Sequence, residues 1–169
     1  MNNKISAILI IVLIMTCFIL PGSLSGESVP DFSLKKLDGT IFNFREYIGK
    51  KVVVIDFWAT WCKPCKKLLK KLDKIYLDNK DKIEVIAIST DNASAISKVE
   101  SYVKSKRLSL TVLLDPDTSV ARVFNPSLKI PFTVIINKMG DIVYSHTGYM
   151  PGFEKILRKK IETLTDEKK

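Results

Sequence analysis

The sequence predicts an α/β fold, in which a mixed central sheet carries helices on both of its faces. Uninterrupted apolar runs rich in valine and isoleucine, KKVVVIDFWA and KIEVIAIST, are typical of strands buried on both faces. Segments with apolar residues at helical spacing follow these runs along the chain. Because strands that alternate with helices favour a parallel sheet, and a closing hairpin adds antiparallel strands, the sheet should be mixed.

The pattern begins with a linker over residues 26–31 and a β-hairpin. In FSLKKLDGTIFNF, Asp38 and Gly39 lie between two short apolar stretches, as in a tight turn between two strands. KKVVVIDFWA should then form the central strand. A helix is predicted over residues 63–79, where one face carries apolar side chains. These are Leu68, Leu69, Leu72, Ile75 and Tyr76.

Two further strand–helix units are expected next. KIEVIAIST predicts a second buried strand, and the helix after it should start with Asn92 or Ser94 as its cap. The apolar face of that helix would contain Ile96, Val99, Tyr102 and Val103. LTVLLD predicts another strand, and residues 118–124 a short helix.

The chain should close with a hairpin and a helix. FTVIIN and DIVYSHTG predict two strands that turn at Met139 and Gly140. A last helix is predicted over residues 152–164, with an inward face. Its inward side chains would be Phe153, Ile156, Leu157, Ile161 and Leu164. The complete predicted order is β-β-β-α-β-α-β-α-β-β-α.

Composition limits the classes of function. The chain has 169 residues, of which 46% are hydrophobic and 27% charged, so it is long enough for one domain with a packed core. Its formal net charge of +9 would suit an acidic partner, nucleic acid or anionic lipid. No zinc-finger spacing, glycine-rich phosphate loop or other recognisable nucleic-acid-binding module accompanies that charge. We therefore expect no nucleic-acid partner. As a separate expectation, the protein should be a monomer.

The first 25 residues differ in kind from the rest. After Lys4, sixteen uncharged and mainly apolar residues run from Ile5 to Leu20. That length suits the apolar region of a signal peptide better than a membrane span of about 20 residues. We predict a signal peptide or N-terminal membrane anchor over residues 1–25, and a domain over residues 26–169. The protein would be exported to the periplasm or the outer side of the cytoplasmic membrane, either secreted or anchored by this segment alone.

The exported part retains two cysteines, Cys62 and Cys65, in the stretch FWATWCKPCKK. Zinc requires about four ligands, and the exported part offers only these thiols and His146, so no metal site is expected. Attachment of a c-type haem requires His directly after the second cysteine, where this chain has Lys66. A structural disulfide across two residues would constrain little of the unfolded chain. The pattern therefore predicts a redox-active pair.

The predicted surroundings of the pair suit thiol chemistry. Cys62 falls where a buried strand gives way to a helix, and free N–H groups at the start of a helix stabilise a thiolate. Lys63 and Lys66 add positive charge nearby, and Pro64 fits the first helical turn. Cys65 lies inside that turn, where it can attack a mixed disulfide formed on Cys62.

These residues carry a resemblance to a known family. VVVIDFWATWCKPC resembles the active-site strand and turn of the thioredoxin superfamily. Together with VPDFSLKKLDGTIFNF, VIAISTD and IPFTVIINKMGDIV, it resembles the TlpA/ResA-like branch, exported thiol:disulfide oxidoreductases related to AhpC/TSA proteins, over residues 28–164. The resemblance implies a thioredoxin fold with an N-terminal β-hairpin and a central helix–strand insertion.

The resemblance also implies partners and a direction of electron flow. The substrates would be protein thiols and disulfides in the cell envelope, and the electrons would come from a membrane-embedded or other thiol donor. The protein would act as a reductant, for example in cytochrome c maturation. No cofactor is expected beyond the redox-active disulfide formed by Cys62 and Cys65.

Individual site residues follow from the same resemblance. Cys62 matches the attacking cysteine of the family and Cys65 the resolving one. Pro131, in KIPFT, matches the cis-proline that faces the cysteine pair, and a cis X–Pro bond is uncommon. The backbone of Ile130 would bind a substrate strand by hydrogen bonds. Trp61 matches an aromatic residue beside the site.

Asp56 is a candidate acid–base residue. It lies six residues before Cys62 inside an apolar strand, and burial of a carboxyl group raises its pKa, so it could exchange protons with Cys65. Thioredoxin proper has Asp at this place, whereas TlpA-like proteins more often have Asn here and Glu three residues after the second cysteine. This chain has Leu68 at that later place. The alternative is a polar residue at the end of the strand with an ordinary hydrogen-bond partner.

Two other functions stay open at the level of sequence. PDFSLKKLDGT is similar to the opening of peroxiredoxins, but those enzymes place Thr three residues before the peroxidatic cysteine, and this chain has Ala59 there. The other alternative is a non-catalytic binding module such as a metal carrier. Peroxide consumption would distinguish the first, and metal binding without thiol exchange the second.

Overall fold

The computed structural model describes residues 28–166, and the elements follow one another in the predicted order. Residues 1–27, including the predicted targeting segment, lie outside the described residues. The elements are β1 (Ser33–Lys36), β2 (Ile41–Asn43), β3 (Val52–Trp58), α1 (Lys63–Asn79), β4 (Ile83–Ser89), α2 (Ile96–Lys106), β5 (Thr111–Leu114), α3 (Ser119–Phe124), β6 (Phe132–Ile136), β7 (Ile142–Thr147) and α4 (Phe153–Asp166).

The strands form one mixed sheet in the order β2-β1-β5-β4-β3-β6-β7. The central strand β3 is parallel to β4 and antiparallel to β6, and β4 is also parallel to β5. The hairpins β1–β2 and β6–β7 supply the antiparallel edges, and β1 joins the sheet beside β5. The predicted mixed sheet is confirmed.

Side chains of β3 alternate between two hydrophobic cores because successive residues of a strand point to opposite faces. Val54 and Trp58 belong to one core, and Ile55 and Phe57 to the other. Residues of α1, α2 and α4 complete the first core, whereas α3 and the aromatic side chains of the first hairpin complete the second. Helices therefore cover both faces, as predicted.

The helix α1 has the two-sided character that its sequence predicts. Its buried side chains are Cys65, Leu68, Leu69, Leu72 and Ile75. Five of its six lysines are exposed and the sixth is half-buried, so the basic residues lie on the solvent side. Burial of four large aliphatic side chains at 3.6-residue spacing fixes this helix against the sheet.

Two predictions about the ends of elements are wrong. Neither Asn92 nor Ser94 caps α2 itself, whose N-cap is Ala95. Asn92 is the N-cap of a 3₁₀ turn, Ala93–Ala95, that leads directly into α2, and its side chain accepts a hydrogen bond from Ser94 Oγ at 2.7 Å. The predicted linker also extends too far. Ser28 forms a β-bridge with Asp141, and the buried Val29 belongs to the second core.

Ile156 was predicted to face inward, and this is also wrong. Its side chain is 42% exposed, whereas Phe153, Leu157 and Ile161 are buried. The buried positions follow a strict four-residue spacing, so Ile156 lies at the border of the apolar stripe of α4. Within residues 28–166, no helix is both long and apolar enough to cross a membrane.

Candidate active site

The cysteine pair lies where β3 ends and α1 begins. A disulfide joins Cys62 to Cys65. Cys62 is the N-cap of α1, with extended backbone, and its Sγ accepts a hydrogen bond from the N–H of Cys65 at 3.2 Å. Pro64 stands in the first turn, where a missing N–H leaves no helical bond unmade. The predicted position of the pair at a helix start is therefore confirmed.

Both cysteines are buried, and Cys62 is the slightly more exposed residue of the two. Cys62 is 5% exposed, whereas Cys65 is fully enclosed in the core beneath α1. Lys63 and Lys67 are exposed beside the pair, and Lys66 is half-buried. After reduction, a thiolate on Cys62 would be favoured by the free N–H groups of the first helical turn.

Pro131 brings a second segment to the cysteine pair. The Ile130–Pro131 peptide bond is cis, as predicted. Phe57 of β3 pairs with Phe132 of β6, so Pro131 lies one step further along the sheet, towards the turn that carries Cys62. The carbonyl oxygen of Pro131 accepts a hydrogen bond from Gly148 at 2.7 Å, which ties this loop to the end of β7.

A groove of about 170 Å³ runs between the two segments. Trp61, which is 71% exposed, and Ile130 both line it. The remaining lining residues are Phe57, Thr90, Thr118, Ala121, Asn125 and Leu128. The predicted substrate-binding residues Trp61 and Ile130 therefore share one surface. Cys62 and Pro131 do not line it, but each is the next residue in the chain after one that does.

Asp56 is fully buried in β3 on the face that α1 covers, because it alternates in step with Val54 and Trp58. Thr133 Oγ1 donates to Asp56 Oδ1 at 2.8 Å, and Asp56 Oδ2 meets no hydrogen-bond donor within the described residues. Burial raises the pKa of Asp56 to about 8, and the hydrogen bond from Thr133 opposes this shift. The predicted direction of the pKa shift agrees with this burial, and Thr133 is the kind of ordinary partner that the structural alternative expects, so the acid–base role stays a prediction.

The turn that joins β3 to α1, residues 59–62, is attached by hydrogen bonds to the segment that follows β4. Asp91 accepts hydrogen bonds from both Thr60 donors: N–H at 2.8 Å and Oγ1 at 2.7 Å. Ala59, at the place where peroxiredoxins have Thr, is buried. The hydroxyl of Thr60 therefore binds Asp91. Ala59, which occupies the position where peroxiredoxins have Thr, has no hydroxyl to offer.

Other candidate ligands are dispersed. Among residues 28–166, no group of three or more His, Cys, Asp and Glu side chains is placed to hold a metal ion. His146 lies in β7, half-buried, with its ring 4.5 Å from that of Phe153 and 6.4 Å from that of Tyr144. It packs as part of the wall between β7 and α4.

The comparisons with known proteins agree with this geometry. Residues 25–145 match the AhpC/TSA family. The chain belongs to the AhpC/TSA family. It is 32% identical over 142 residues to the thioredoxin-like protein YneN of Bacillus subtilis, an alignment that covers 83% of this chain and 81% of YneN.

Two further likenesses connect the family to fold and chemistry. The thiol-disulfide oxidoreductase ResA of Halalkalibacterium halodurans is 30% identical over 144 residues, which cover 85% of this chain and 78% of ResA. The solution structure of a thioredoxin-like protein from Porphyromonas gingivalis superposes with a TM-score of 0.70 at 35% identity, covering 83% of this chain and 94% of that one.

The thioredoxin fold and the TlpA/ResA-like resemblance are thus confirmed. The protein is an enzyme, a thiol:disulfide oxidoreductase of the AhpC/TSA family. Its helix–strand insertion is α2 and β5, and its added hairpin is β1–β2.

Sequence reasoning missed two residues of the site. Thr133 comes two positions after Pro131, and Asp91 comes two positions after a buried strand. Polar residues at the ends of buried strands could have marked both as candidates. Their partners are distant in the chain: Asp56 lies 77 positions from Thr133, and Thr60 lies 31 positions from Asp91. Only the pairing of the strands brings these groups together.

Proposed function

We propose that the protein is exported and reduces disulfides of protein substrates in the cell envelope, with Cys62 as the nucleophile and Cys65 as the resolving thiol. The observation that carries the proposal is the cysteine pair at the N-terminus of α1, with Cys62, the slightly more exposed residue, at the cap. A thiolate at this position is stabilised by the helix and can be reached by a substrate.

The reaction has two exchange steps. The Cys62 thiolate attacks one sulfur of a substrate disulfide, so that the substrate S–S bond breaks, a mixed disulfide forms and one substrate thiolate leaves. The Cys65 thiolate then attacks Cys62 Sγ, which forms the Cys62–Cys65 bond and releases the second substrate thiolate. Two electrons pass to the substrate, and the two protons of the dithiol end on the substrate thiols.

Asp56 supplies the proton acceptor for Cys65 in this proposal. The thiol of Cys65 is enclosed in the core, so water cannot readily take its proton. A carboxylate with a pKa of about 8, on the same face of the sheet, exchanges a proton near neutral pH without a large energetic penalty. Asp56 thereby takes the place of the helical Glu that Leu68 replaces.

Trp61, Ile130 and Pro131 form the substrate-binding part. An extended substrate segment in the groove would lie across the Ile130 backbone, and an apolar side chain of the substrate would contact Trp61. This placement directs the substrate disulfide to Cys62 rather than to the enclosed Cys65.

The cycle closes when a membrane-embedded or other thiol donor reduces the Cys62–Cys65 disulfide. The cysteines themselves carry the two electrons, so the proposed cycle uses no further cofactor. The resemblance to TlpA/ResA-like oxidoreductases supports a role as reductant, with the disulfide of an apocytochrome c as one fitting substrate.

Equilibration with glutathione tests the proposal. The protein is incubated at graded ratios of reduced to oxidised glutathione, the thiols are alkylated, and the mass of each form is measured. We expect a reduction potential closer to about −270 mV, as in reducing thioredoxins, than to about −120 mV, as in oxidising DsbA. A potential near the DsbA value would contradict the proposed direction, and failure to exchange with glutathione would contradict the exchange itself.

A further inference from the structure

Asp91 is a buried carboxylate that the proposed reaction does not use. It is 5% exposed and follows β4 at the end of the sheet where Cys62 lies. Its Oδ2 accepts hydrogen bonds from Thr60 N–H at 2.8 Å and from Ser89 Oγ at 2.8 Å, and its Oδ1 accepts one from Thr60 Oγ1 at 2.7 Å. The Asp91 carboxylate therefore accepts hydrogen bonds from both the N–H and the hydroxyl of Thr60, two residues before Cys62.

Neighbouring bonds extend this attachment over the whole turn. Thr90 donates from its N–H and from its Oγ1 to the carbonyl oxygen of Trp58, at 2.9 and 3.2 Å. Within the turn, Cys62 N–H donates to Ala59 O at 3.1 Å. Thr90 thus holds the start of the turn and Asp91 holds its middle. These bonds fix the position from which the chain continues to Trp61 and Cys62.

The turn has a second support in the oxidised protein, the disulfide. While Cys62 is bonded to Cys65, the turn is tethered covalently to the core beneath α1. When that bond opens in the dithiol or in a mixed disulfide, the covalent tether is lost. The hydrogen bonds to Asp91 and from Thr90 remain, together with the bond from Lys66 N–H to the carbonyl oxygen of Cys62 at 3.1 Å.

We propose that Asp91 is a positioning residue for thiol exchange, which holds the turn of Trp61 and Cys62 in place while the Cys62–Cys65 bond is open. The proposal deepens the proposed function and rests on Cys62 being the nucleophile. The hydrogen bonds contribute in both redox states, but the states without the disulfide depend on them more. Removing them destabilises the dithiol relative to the disulfide.

The proposal predicts a direction for the redox equilibrium and for the rate. Thr60→Val removes one donor to Asp91 and keeps the shape of the side chain and the carboxylate. We expect the equilibrium with glutathione to shift about threefold to tenfold towards the disulfide, which corresponds to a potential about 15 to 30 mV more negative. Exchange with a peptide disulfide should slow about tenfold, because Trp61 lines the groove and leaves its place with the turn.

Three variants make the test specific. Thr60→Ser keeps the hydroxyl and should stay within about twofold of wild type in equilibrium and rate. Asp91→Asn keeps the volume of the side chain but lacks one acceptor, so it should shift in the direction of Thr60→Val. Asp73→Asn is the matched control: Asp73 accepts N–H bonds from Ser109 and Leu110 at 2.6 and 3.2 Å, far along α1 from Cys62. It should lower the denaturant midpoint and leave the glutathione equilibrium unchanged.

Unchanged equilibrium and peptide exchange in Thr60→Val, with a lower denaturant midpoint, would reduce the hydrogen bonds to a structural role and overturn the proposal. A second result would also overturn the proposal: a shift of the glutathione equilibrium towards the dithiol in Asp91→Asn with no shift in Thr60→Val. Such a result would mean that the charge of Asp91, and not its hydrogen bonds to Thr60, sets the equilibrium. Each variant is compared with wild type, so the result stands whichever direction wild type favours. Loss of exchange in wild type itself would count against the proposed function alone.

Discussion

At the scale of single residues, Asp56 is the group whose chemistry the fold changes most. Its carboxyl group is enclosed in β3, and burial raises its pKa to about 8 from a model-peptide value near 3.8. The folded protein therefore keeps a proton on Asp56 over a range in which the unfolded chain has lost it. Folding stability should fall as the pH rises from about 4 to about 8, and should change little with this group outside that range.

Asp56→Asn removes this titration and the proposed proton acceptor together. Relative to wild type, the variant should gain about 3 kcal/mol of unfolding free energy between pH 5 and pH 8, because only wild type bears the growing cost of a buried charge. The step in which Cys65 releases the substrate should slow at neutral pH. Denaturant unfolding and single-turnover exchange at the two pH values measure the two effects.

A matched control is Asp81→Asn, which removes an exposed carboxyl group at the opposite end of the sheet and should alter neither quantity. Identical pH dependence of stability in wild type and Asp56→Asn would mean that the buried carboxyl group does not titrate as the structure implies. Unchanged exchange would remove Asp56 from the mechanism.

The sequence was sufficient to predict the unusual position of Asp56, because a single acid inside a run of valines has to be buried with the run. It was not sufficient to predict Thr133 as its partner. That contact depends on the register in which β6 lies against β3, and a shift of one residue would have turned Thr133 to the other face. Long-range register is set by packing of the whole sheet.

At the scale of elements, the helices α1 and α4 hold the active-site face together. α4 contributes three side chains to the core at a spacing of four residues, and their neighbours lie at the border of the apolar stripe. The sequence shows that such a stripe exists but not where its centre lies. Ile156 is at the border, beside Val143 of the edge strand β7, and so remains largely exposed.

This difference predicts unequal effects of two neighbouring substitutions. Leu157→Ala should lower the unfolding free energy by about 2 to 5 kcal/mol, since it leaves a cavity in the core. Ile156→Ala should cost less than about 1 kcal/mol, since its side chain is already in contact with water. Chemical denaturation of the two variants measures both. Equal costs would contradict the placement of α4.

The order of the strands in the sheet could not be predicted from the sequence. Alternating strand and helix patterns predicted a mixed sheet, and the resemblance predicted an inserted helix and strand. Neither shows that β5 extends the sheet beside β4 and then accepts β1 on its other edge in antiparallel orientation. That arrangement depends on apolar residues from several separated segments closing one core, which local periodicity does not contain.

At the scale of the whole molecule, the described chain begins at the end of the sheet opposite the cysteine pair. Ser28 bridges to Asp141 in the turn between β6 and β7, whereas Cys62 follows the other end of β3. A seven-residue strand separates these ends by about 20 Å. The first described residue therefore lies about one strand length from the turn that carries Trp61 and Cys62.

The proposed export has a direct test. Residues 1–25, fused to a reporter enzyme that is active only outside the cytoplasm, should give activity, because the apolar run behind Lys4 has the length of a signal sequence. Replacing two residues in the middle of that run with Asp should abolish the signal. A silent reporter with normal expression of the fusion would contradict export and the envelope substrates with it.

The central claim is that Cys62 attacks and Cys65 resolves, and trapping the mixed disulfide tests it most directly. Wild type, Cys62→Ser and Cys65→Ser are mixed in reduced form with a disulfide-bonded peptide, and each product is identified by its intact mass. We predict a stable covalent adduct with Cys65→Ser, no adduct with Cys62→Ser, and complete reduction of the peptide by wild type. A stable adduct with Cys62→Ser and none with Cys65→Ser would contradict the account.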